Sequence, residues 1–231
     1  LRSGEIVDQI LQSRKCLAEG ERLTNLVFMG MGEPLDNYTQ TVKALRIITA
    51  PEGLAISPRR ITISTAGLVP AIEALGREGL AVNLAISLNA SDEETRTRLM
   101  PLNRKYSMTQ LLRACRNYPL PQRRRITFEY VLLAGINDSL EDARRVARLL
   151  RGLRCKINLI PFNEVEGLPF RRPNPEVVLA FQRYLQDQHY SVFIRESRGR
   201  EISAACGQLA APRSGQGKRD EGTMMLEKRE E

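Results

Sequence analysis

Short apolar runs alternate with longer amphipathic segments along most of the chain. Five runs have the length of a β-strand and cover residues 26–29, 60–64, 81–88, 126–133 and 155–160, with a sixth candidate at 191–195. Between these runs, apolar residues recur every three or four positions, which is typical of helices with one buried face. Strands that alternate with helices in this way predict βαβ units and a parallel sheet.

This order predicts an α/β fold, with a partial (β/α) barrel as the favoured architecture. Five strands in such order, joined by one from before residue 1, would suit a six-stranded partial barrel with outer helices. A doubly wound open sheet is the alternative. We expect the barrel to span residues 1–210. From residue 211 the periodicity is lost, and the charged, glycine-containing sequence of residues 211–231 predicts a disordered tail.

The first apolar run leads into a glycine-rich turn that carries one carboxylate. Residues 26–29 (LVFM) are typical of a strand covered on both faces, and Gly30, Gly32 and Glu33 follow it. Glycines allow the backbone to approach a ligand closely, and Glu33 could accept hydrogen bonds from a cationic amine. A plain strand-to-helix turn with a solvated glutamate is the alternative that the residues alone leave open.

Small polar residues also follow the later strands. They are Ser64 after the second run, Ser87 and Asn89 after the third, and Asn163 after the fifth. Because the carboxyl ends of parallel strands meet at one rim, we expect these residues to lie close to Glu33. Together they offer a carboxylate for an amine, hydroxyls for a ribose or a carboxylate, and amides for a base. Each serine or asparagine alone is also typical of a helix cap or a turn.

The net charge of the chain indicates which class of partner it binds. The 231 residues include 35 Lys and Arg against 27 Asp and Glu, which gives a formal net charge of +8 and a pI near 9.6. This balance favours a polyanionic partner, and nucleic acid first. Arginines cluster at residues 59–60, 123–125 and 171–172, and again as Arg195, Arg198 and Arg200. No apolar run reaches the length of a membrane span, so we expect no membrane partner.

The four cysteines are Cys16, Cys115, Cys155 and Cys206, and they are widely separated. None forms a CxxC pair, and this spacing predicts reduced thiols and a cytoplasmic location. Cys115 falls on a helix face and Cys155 inside a strand, so we expect both to be structural. Cys206 has small neighbours that would leave room for a substrate, although the residues alone favour an inert buried thiol.

Several motifs resemble one known family. They are residues 29–35 (MGMGEPL), 60–65 (RITIST), 85–88 (AISL), 155–163 (CKINLIPFN) and 204–209 (AACGQL). In this order they closely resemble the radical S-adenosylmethionine (SAM) enzymes that methylate adenine C2 in RNA, the RlmN family. The match runs from about residue 1 to about residue 210. The family fold is a partial radical-SAM barrel, in agreement with the strand pattern.

The resemblance implies a SAM site and a methyl-carrying cysteine. Gly32 and Glu33 would hold the amino group of SAM. The positions that match further SAM-binding residues are Ser64, Ser87, Leu88, Asn89 and Asn163. Cys206 would accept a methyl group from one SAM. A thiolate is the side chain that readily accepts a methyl group from a sulfonium.

The reaction that the resemblance implies is radical methylation of RNA. A second SAM is cleaved reductively at a [4Fe–4S] cluster, and the resulting 5′-deoxyadenosyl radical takes a hydrogen from the methyl group on Cys206. The methylene radical adds to adenine C2, and a second cysteine resolves the adduct. The substrates would be 23S rRNA and tRNA, and an electron donor would be required. We expect a monomer, with Arg195, Arg198 and Arg200 as the first arginines to contact RNA.

The sequence departs from the family at two points. The CxxxCxxC loop that binds the cluster in the family is absent, and its three thiolates would hold three irons and leave the fourth for SAM. In the family this loop lies a short distance before the segment that matches residues 1–6. We therefore expect the chain, which starts with Leu1, to be a piece of a longer protein whose cluster ligands lie upstream. The second departure is Asn89, where the family often has His.

Three hypotheses follow from these observations. The first is the catalytic barrel of an RNA adenine-C2 methyltransferase, whose 231 residues alone we expect to be inactive. The second is a truncated product that at most binds RNA through its arginines. The third is a cluster-free barrel enzyme that acts on a small metabolite, which gives residues 204–209 no evident purpose.

Overall fold

The computed structural model describes residues 1–29, 32–164 and 167–195. Within these ranges six strands form one parallel sheet in chain order: β1 (Leu26–Phe28), β2 (Ile61–Thr65), β3 (Asn83–Ser87), β4 (Ile126–Leu132), β5 (Cys155–Pro161) and β6 (Val192–Ile194). The helices in the same ranges are α1 (Ser3–Lys15), α2 (Tyr38–Thr49), α3 (Val69–Arg77), α4 (Glu93–Leu99), α5 (Met108–Asn117), α6 (Leu140–Leu149) and α7 (Pro175–Asp187). Single 3₁₀ turns at Pro58–Arg60 and Pro101–Arg104 precede β2 and follow α4.

The two faces of the sheet differ because burial alternates along the strands. In β2, Ile61 and Ile63 are fully buried, whereas Ser64 is half-exposed. Paired residues of parallel strands point to the same side, so register carries this alternation across the sheet. One face is therefore apolar. The other, which we call the polar face, consists largely of Thr62, Ser64, Asn83, Ser87, Thr127, Glu129, Lys156 and Asn158.

The apolar face packs against the helices and forms the core. Tyr130 of β4 and Phe181 of α7 meet there, with ring centroids 5.4 Å apart. Right-handed crossovers between strands that are neighbours in chain order place successive helices on the same face. A doubly wound sheet would reverse its strand order and carry helices on both faces. The predicted α/β fold with outer helices is confirmed, and the doubly wound alternative is wrong.

The first strand differs from its prediction in one respect. We expected residues 26–29 to be covered on both faces, but Val27 is 57% exposed. Val27 pairs in register with Thr62 and therefore lies on the polar face, which none of the described helices covers. The candidate strand at 191–195 is real and forms β6 at the other edge of the sheet.

Among the described helices, α4, α5 and α6 begin at a residue whose side chain accepts a hydrogen bond from the helix backbone. At α5, the Gln110 amide donates to Ser107 Oγ at 3.3 Å, and the Ser107 amide donates to the Gln110 side chain at 2.9 Å, as a capping box does. At α4, Ser91 and Glu94 have the spacing of a capping box, but it is Asp92 that accepts from the Thr95 amide at 2.8 Å. Ser91 instead donates to the buried Asp142 carboxylate at 2.6 Å, and so links α4 to α6. No helix in the described ranges is long and apolar enough to cross a membrane.

Two leucines on α7 provide a test of the core. Leu185 is fully buried, whereas Leu179 on the same helix is 41% exposed. We expect Leu185→Ala to lower the free energy of unfolding by about 2–5 kcal/mol, because it removes buried apolar surface and leaves a cavity. The matched variant Leu179→Ala should cost less than about 1 kcal/mol. Urea unfolding would compare the two, and equal losses would contradict the assigned packing of α7.

Candidate functional site

Polar side chains lie side by side across the polar face and along the edge where the strands end. Ser87, Glu129, Asn158 and Phe193 lie in one row across β3 to β6, since each pairs in register with the next. The residues that directly follow the strands line the adjoining edge, which we call the upper rim. It includes Glu33, Ala66, Leu88, Asn89 and Asn163. The polar side chains predicted from strand ends are therefore brought to one region of the molecule.

Glu33 joins the turn after β1 to the end of β2. Its Oε1 accepts a hydrogen bond from the Leu35 amide at 3.0 Å, and its Oε2 accepts one from the Ala66 amide at 2.7 Å. The turn requires Gly32 at a φ of +86°, in the left-handed region that favours glycine. A Cβ at this position would meet no atom within 4 Å, so the requirement is conformational rather than steric.

The electrostatics of Glu33 suit a cationic ligand. Burial raises the pKa of this carboxyl above its ordinary value of 4.5, although the hydrogen bonds from Ala66 and Leu35 oppose that effect. The Thr65 side chain also bonds to this carboxylate, which still has room for one further hydrogen bond from a ligand. An ammonium group close to Glu33 would favour the ionised carboxylate and offset the effect of burial. The geometry therefore supports the predicted interaction with an amine.

Ser64 and Ser87 present two hydroxyls on the polar face. Both residues are half-buried, and neither hydroxyl bonds to another residue in the described parts of the chain. Leu88 differs, because its side chain is fully buried in the core. Its amide donates to the Glu129 carbonyl at 2.9 Å, so Leu88 adds shape to the rim rather than a free polar group.

Asn89 uses its side chain to hold two strands together. Its Oδ1 accepts a hydrogen bond from the Val131 amide at 3.0 Å, while its Nδ2 donates to the sulfur of Met100 at 3.4 Å. The buried Asn137 side chain donates to the Asn89 carbonyl at 2.8 Å. The backbone at Asn89 has a φ of +56°, which Asn tolerates better than most residues. One amide hydrogen of Asn89 is left for a ligand.

Asn163 lies at the end of β5 and is 7% exposed. Its Oδ1 accepts a hydrogen bond from the Arg172 guanidinium at 3.4 Å, and the same guanidinium donates to the Phe162 carbonyl at 3.4 Å. The loop that follows β5 therefore folds back over the rim through Arg172. This places one of the predicted arginine clusters beside the predicted ligand residue.

Arg96 is a residue of the site that the sequence did not reveal. Its side chain is 1% exposed and lies beneath the upper rim. The guanidinium donates to the carbonyls of Ala66 at 2.7 Å, Ser87 at 3.2 Å and Leu88 at 3.2 Å. Burial lowers its pKa to about 10, which leaves it charged at neutral pH. Arg96 thus fixes the ends of β2 and β3 relative to each other.

Glu129 is a second residue that the prediction missed. It lies on the polar face of β4 and is 6% exposed, yet its Oε1 accepts a hydrogen bond from Asn158 at 2.9 Å. Burial raises the pKa of its carboxyl, and Asn158 and Arg195 oppose the shift. The Arg195 guanidinium is 3.9 Å away, so this predicted RNA-contacting arginine turns towards the polar face. The Glu129 carboxylate can accept further hydrogen bonds from a ligand hydroxyl or amine.

The sequence contained a signal for one of these residues and not for the other. Glu129 is the single charged residue in the apolar run 126–133, and a carboxylate in such a run indicates a function for the strand face that carries it. Arg96 lies among the charged residues of a short helix, where an arginine is typical of a solvated surface. Its role depends on carbonyls distant in sequence, which no local pattern reports.

Part of the predicted site lies outside the described residues. Cys206, Arg198 and Arg200 belong to this part, as does the predicted tail 211–231. Among the described cysteines, Cys16 is exposed, whereas Cys115 and Cys155 are buried. Burial raises the pKa of each of these two thiols to about 12, in agreement with the structural role that we predicted for them.

Comparison with known proteins decides the family. The profile of the Radical SAM superfamily matches residues 5–150, which is more than half of the chain. The chain belongs to the Radical SAM superfamily. The matched region contains Glu33, Ser64 and Ser87, so the superfamily assignment and the polar face concern the same part of the molecule.

Relatives within this superfamily confirm the resemblance to RlmN. The dual-specificity RNA methyltransferases RlmN of Syntrophus aciditrophicus and Geobacter sulfurreducens are 55% and 54% identical to this chain, over 210 and 209 residues. These matches cover 91% and 90% of the chain. They cover only 60% and 57% of the relatives, so this radical SAM chain spans about three fifths of their length.

Solved structures agree with the fold. A radical SAM methyltransferase from Sphaerobacter thermophilus superposes with a TM-score of 0.84 at 47% identity, covering 90% of this chain and 61% of that one. A domain of a pyruvate-formate lyase-activating enzyme from Bacteroides vulgatus has a TM-score of 0.59 at 18% identity, and shares the fold alone. The outer helices and parallel sheet are therefore those of a radical SAM barrel.

The described residues fit SAM but supply no ligands for an iron–sulfur cluster. Glu33 offers a carboxylate at the upper rim, and Ser64 and Ser87 offer two hydroxyls at the same end of the polar face, which matches the amine and hydroxyl groups of SAM. In the described ranges no group of three His, Cys, Asp or Glu side chains could hold a metal ion. The thiols of Cys115 and Cys155 are enclosed in the core and are unsuited to this role.

Replacement of Arg96 tests its role beneath the rim. We expect Arg96→Met to lower the free energy of unfolding by about 3 kcal/mol or more, because it leaves the buried carbonyls of Ala66, Ser87 and Leu88 without donors. Arg98→Met, at an exposed position of the same helix, should change it by less than about 0.5 kcal/mol. Urea unfolding measures both variants, and an equally small loss at Arg96 would show that the rim does not depend on it.

The raised pKa of Glu33 predicts an effect of pH on stability. The contribution of this carboxyl is fully present below its unfolded pKa and is lost as pH rises through its higher folded pKa. Glu33→Gln removes the titration, so the variant should gain stability relative to the parent as pH rises from the unfolded pKa of the carboxyl through its higher folded pKa. Thermal unfolding across this range would detect the gain.

Glu78 provides a control of opposite sign. Hydrogen bonds from Tyr38 and Arg46 lower the pKa of its carboxyl, so its contribution is present above the unfolded pKa and is lost on acidification. Glu78→Gln should therefore lose stability relative to the parent as pH rises. If both variants followed the parent in parallel at every pH, the described surroundings of Glu33 would be wrong.

Proposed function

We propose that the chain is the catalytic-barrel portion of a radical SAM methyltransferase that methylates C2 of adenine in 23S rRNA and tRNA. One observation carries this proposal: in a radical SAM barrel, Glu33 is bonded at the upper rim to the Ala66 amide that follows β2, and Ser64 and Ser87 lie near the ends of β2 and β3 on the face that the described helices leave uncovered. The identity to proteins named dual-specificity RNA methyltransferase RlmN supports the choice of reaction and substrate.

In this proposal the upper rim binds and orients SAM. Glu33 accepts hydrogen bonds from the ammonium group, with Gly32 allowing the close approach of the backbone. The hydroxyls of Ser64 and Ser87 bind the carboxylate or the ribose, and the amides of Asn89 and Asn163 approach the base. Leu88 contributes the shape of the rim through its buried side chain. Arg96 acts as a positioning residue, since it holds the strand ends without facing the ligand.

The chemistry of adenine explains the need for a radical route. C2 of adenine is not nucleophilic enough for ordinary methyl transfer, so a thiolate must first take the methyl group. Cys206 is the proposed carrier, on the basis of the match of residues 204–209 to the family motif and of thiolate reactivity. The CxxxCxxC spacing is absent from the 231 residues. The proposal therefore requires that residues outside them supply the [4Fe–4S] ligands and the resolving cysteine.

The remaining parts of the proposal concern partners and location. An external electron donor would be needed for reductive cleavage of SAM, and a monomer is the expected state. A reducing compartment such as the cytoplasm is favoured, since Cys16, Cys115 and Cys155 are all free thiols. The RNA substrates agree with a net charge of +8.

The alternative to this proposal is a chain that at most binds RNA through its arginines without methylating it. An assay of two forms separates these functions. One form is the 231-residue chain alone. The other is the same chain joined to the N-terminal portion of the Syntrophus aciditrophicus relative and reconstituted with iron and sulfide without oxygen. We expect SAM-dependent formation of 2-methyladenine in RNA by the joined form only.

Cys206→Ala is the decisive variant of the joined form. We expect loss of at least about a thousandfold in the rate of methylation, because removal of a covalent carrier leaves no route for the methyl group. Cys16→Ala removes an exposed thiol that the proposal does not use and should keep the parent rate. Mass spectrometry of digested RNA would quantify 2-methyladenosine. Full activity in Cys206→Ala would rule out the methyl-cysteine route, and activity of the 231 residues alone would show that no added segment is needed.

A further inference from the structure

A set of arginines gathers at the edge of the sheet opposite to the upper rim. These residues precede β2, β4 and β5 by three positions or fewer, and we call them the lower rim: Arg59, Arg60, Arg123, Arg124, Arg125 and Arg154. Because β2 to β5 are neighbours in one parallel sheet, their amino ends lie along one edge. β4 and β5 each contain 7 residues, so the two rims are about 20 Å apart.

Hydrogen bonds join the lower rim into one surface. Asn83, at the start of β3, donates to the Arg59 carbonyl at 2.8 Å and accepts from the Arg124 guanidinium at 2.5 Å. The Ile126 amide donates to the Arg154 carbonyl at 3.0 Å, which sets the starts of β4 and β5 side by side. The arginines that precede three different strands are thus neighbours in space, although about 95 residues separate the first from the last.

The lower rim lacks acidic partners. None of its six arginines forms an ion pair within 4.0 Å in the part of the chain that the structure describes. The segments that lead into β4 and β5, residues 118–125 and 150–154, contain no Asp or Glu. On the helices the pattern differs, and Arg46, for example, pairs with Glu78 at 2.6 Å. Unmatched positive charges repel one another, and a bound polyanion would relieve that repulsion.

Arg123 occupies a backbone conformation that arginine seldom adopts. Its φ is +61°, in a turn closed by the Arg124 amide, which donates to the Pro121 carbonyl at 3.1 Å. Glycine would adopt this conformation without strain. An arginine here directs an additional guanidinium into solvent beside those of Arg124 and Arg125.

We propose that the lower rim binds the sugar–phosphate backbone of the RNA substrate, at the edge of the sheet remote from the upper rim. This inference rests on the proposed function for its choice of RNA as the polyanion. Guanidinium groups bind phosphates through paired hydrogen bonds, and a row of them matches the repeated charges of a folded RNA. Such contacts fix the orientation of the RNA without reading its sequence. In this proposal the RNA adenine that is methylated is recognised at the upper rim, beside the SAM site.

Three rim arginines can be replaced with little risk to the fold. The guanidiniums of Arg59, Arg60 and Arg123 make no hydrogen bond or ion pair with the described residues. The test variant is Arg59→Gln with Arg60→Gln and Arg123→Gln. The matched control removes three charges from exposed helix positions and is Lys43→Gln with Arg113→Gln and Arg183→Gln. Both sets are made in the 231-residue chain and in the joined form.

The measurement is RNA affinity across a range of salt concentrations, with an unmodified tRNA transcript and a duplex RNA of unrelated sequence. We expect the rim variant to lose about tenfold or more in affinity for both RNAs near 0.1 M salt, and to lower the slope of log K against log salt by about 2–3. In the joined form KM for RNA should rise while kcat changes little. The control variant should change each quantity less than about twofold.

The outcomes separate the rim from the proposed reaction. If the rim variant matched the control while the joined form still methylated RNA, the inference would be wrong and the proposed function would stand. If the rim variant lost RNA affinity in a protein that forms no 2-methyladenine, the rim would stand and the function would fail. Binding of the parent to phosphatidylglycerol vesicles, lost in the rim variant while RNA affinity was unchanged, would assign the surface to lipid and overturn the inference.

Discussion

The backbone of Ala66 is held from both sides, and the arrangement of the upper rim depends on this. Glu33 accepts its amide hydrogen at 2.7 Å, and Arg96 donates to its carbonyl at 2.7 Å. Arg96 also reaches the carbonyls of Ser87 and Leu88. A continuous path of charge-assisted hydrogen bonds therefore runs across the ends of the first three strands. The buried charge of Arg96 and the half-buried charge of Glu33 are tolerated because each is surrounded by oriented backbone dipoles.

The one-sided arrangement of the helices explains why ligand-binding chemistry is available at all. A sheet covered on both faces must be apolar on both. Here the helices bury one face, and the other is free to carry serine, asparagine and glutamate. Glu129 shows the limit of this freedom, since it is 6% exposed and depends on Asn158 for a partner. Residues deep on the polar face must satisfy one another until a ligand arrives.

Much of the fold followed from local pattern, because period and burial are local properties. The alternation of Ile61 and Ile63 with polar residues indicated a strand with one buried face, and the order of strands and helices indicated a parallel sheet. That Glu33, Ser64 and Ser87 lie at one end of the sheet was predictable because the ends of parallel strands converge. Arg96 was not found, since the carbonyls that it binds come from segments 8 to 30 residues away. The exposure of Val27 was also missed, because an apolar run does not report which of its faces is covered.

Ser91 and Leu88 illustrate the same limit. Ser91 has the spacing of a helix cap, yet Asp142 competes for its hydroxyl at 2.6 Å across 51 positions. Leu88 directly follows a strand, as the candidate SAM-binding residue Asn89 nearly does, but the side chain of Leu88 is buried in the core. A position just after a strand therefore identifies a candidate ligand residue. The direction of its side chain depends on how the helices pack, and the local sequence does not reveal that packing.

The enclosure of Cys115 and Cys155 has a consequence for chemical labelling. Burial raises the pKa of both thiols to about 12, so in the native protein they offer almost no thiolate to an electrophile. An alkyl group that reaches a cysteine of the folded chain must then be on Cys16 or Cys206. The fold thus leaves at most two cysteines that could carry a transferred methyl group, and peptide mapping would show which of them is methylated.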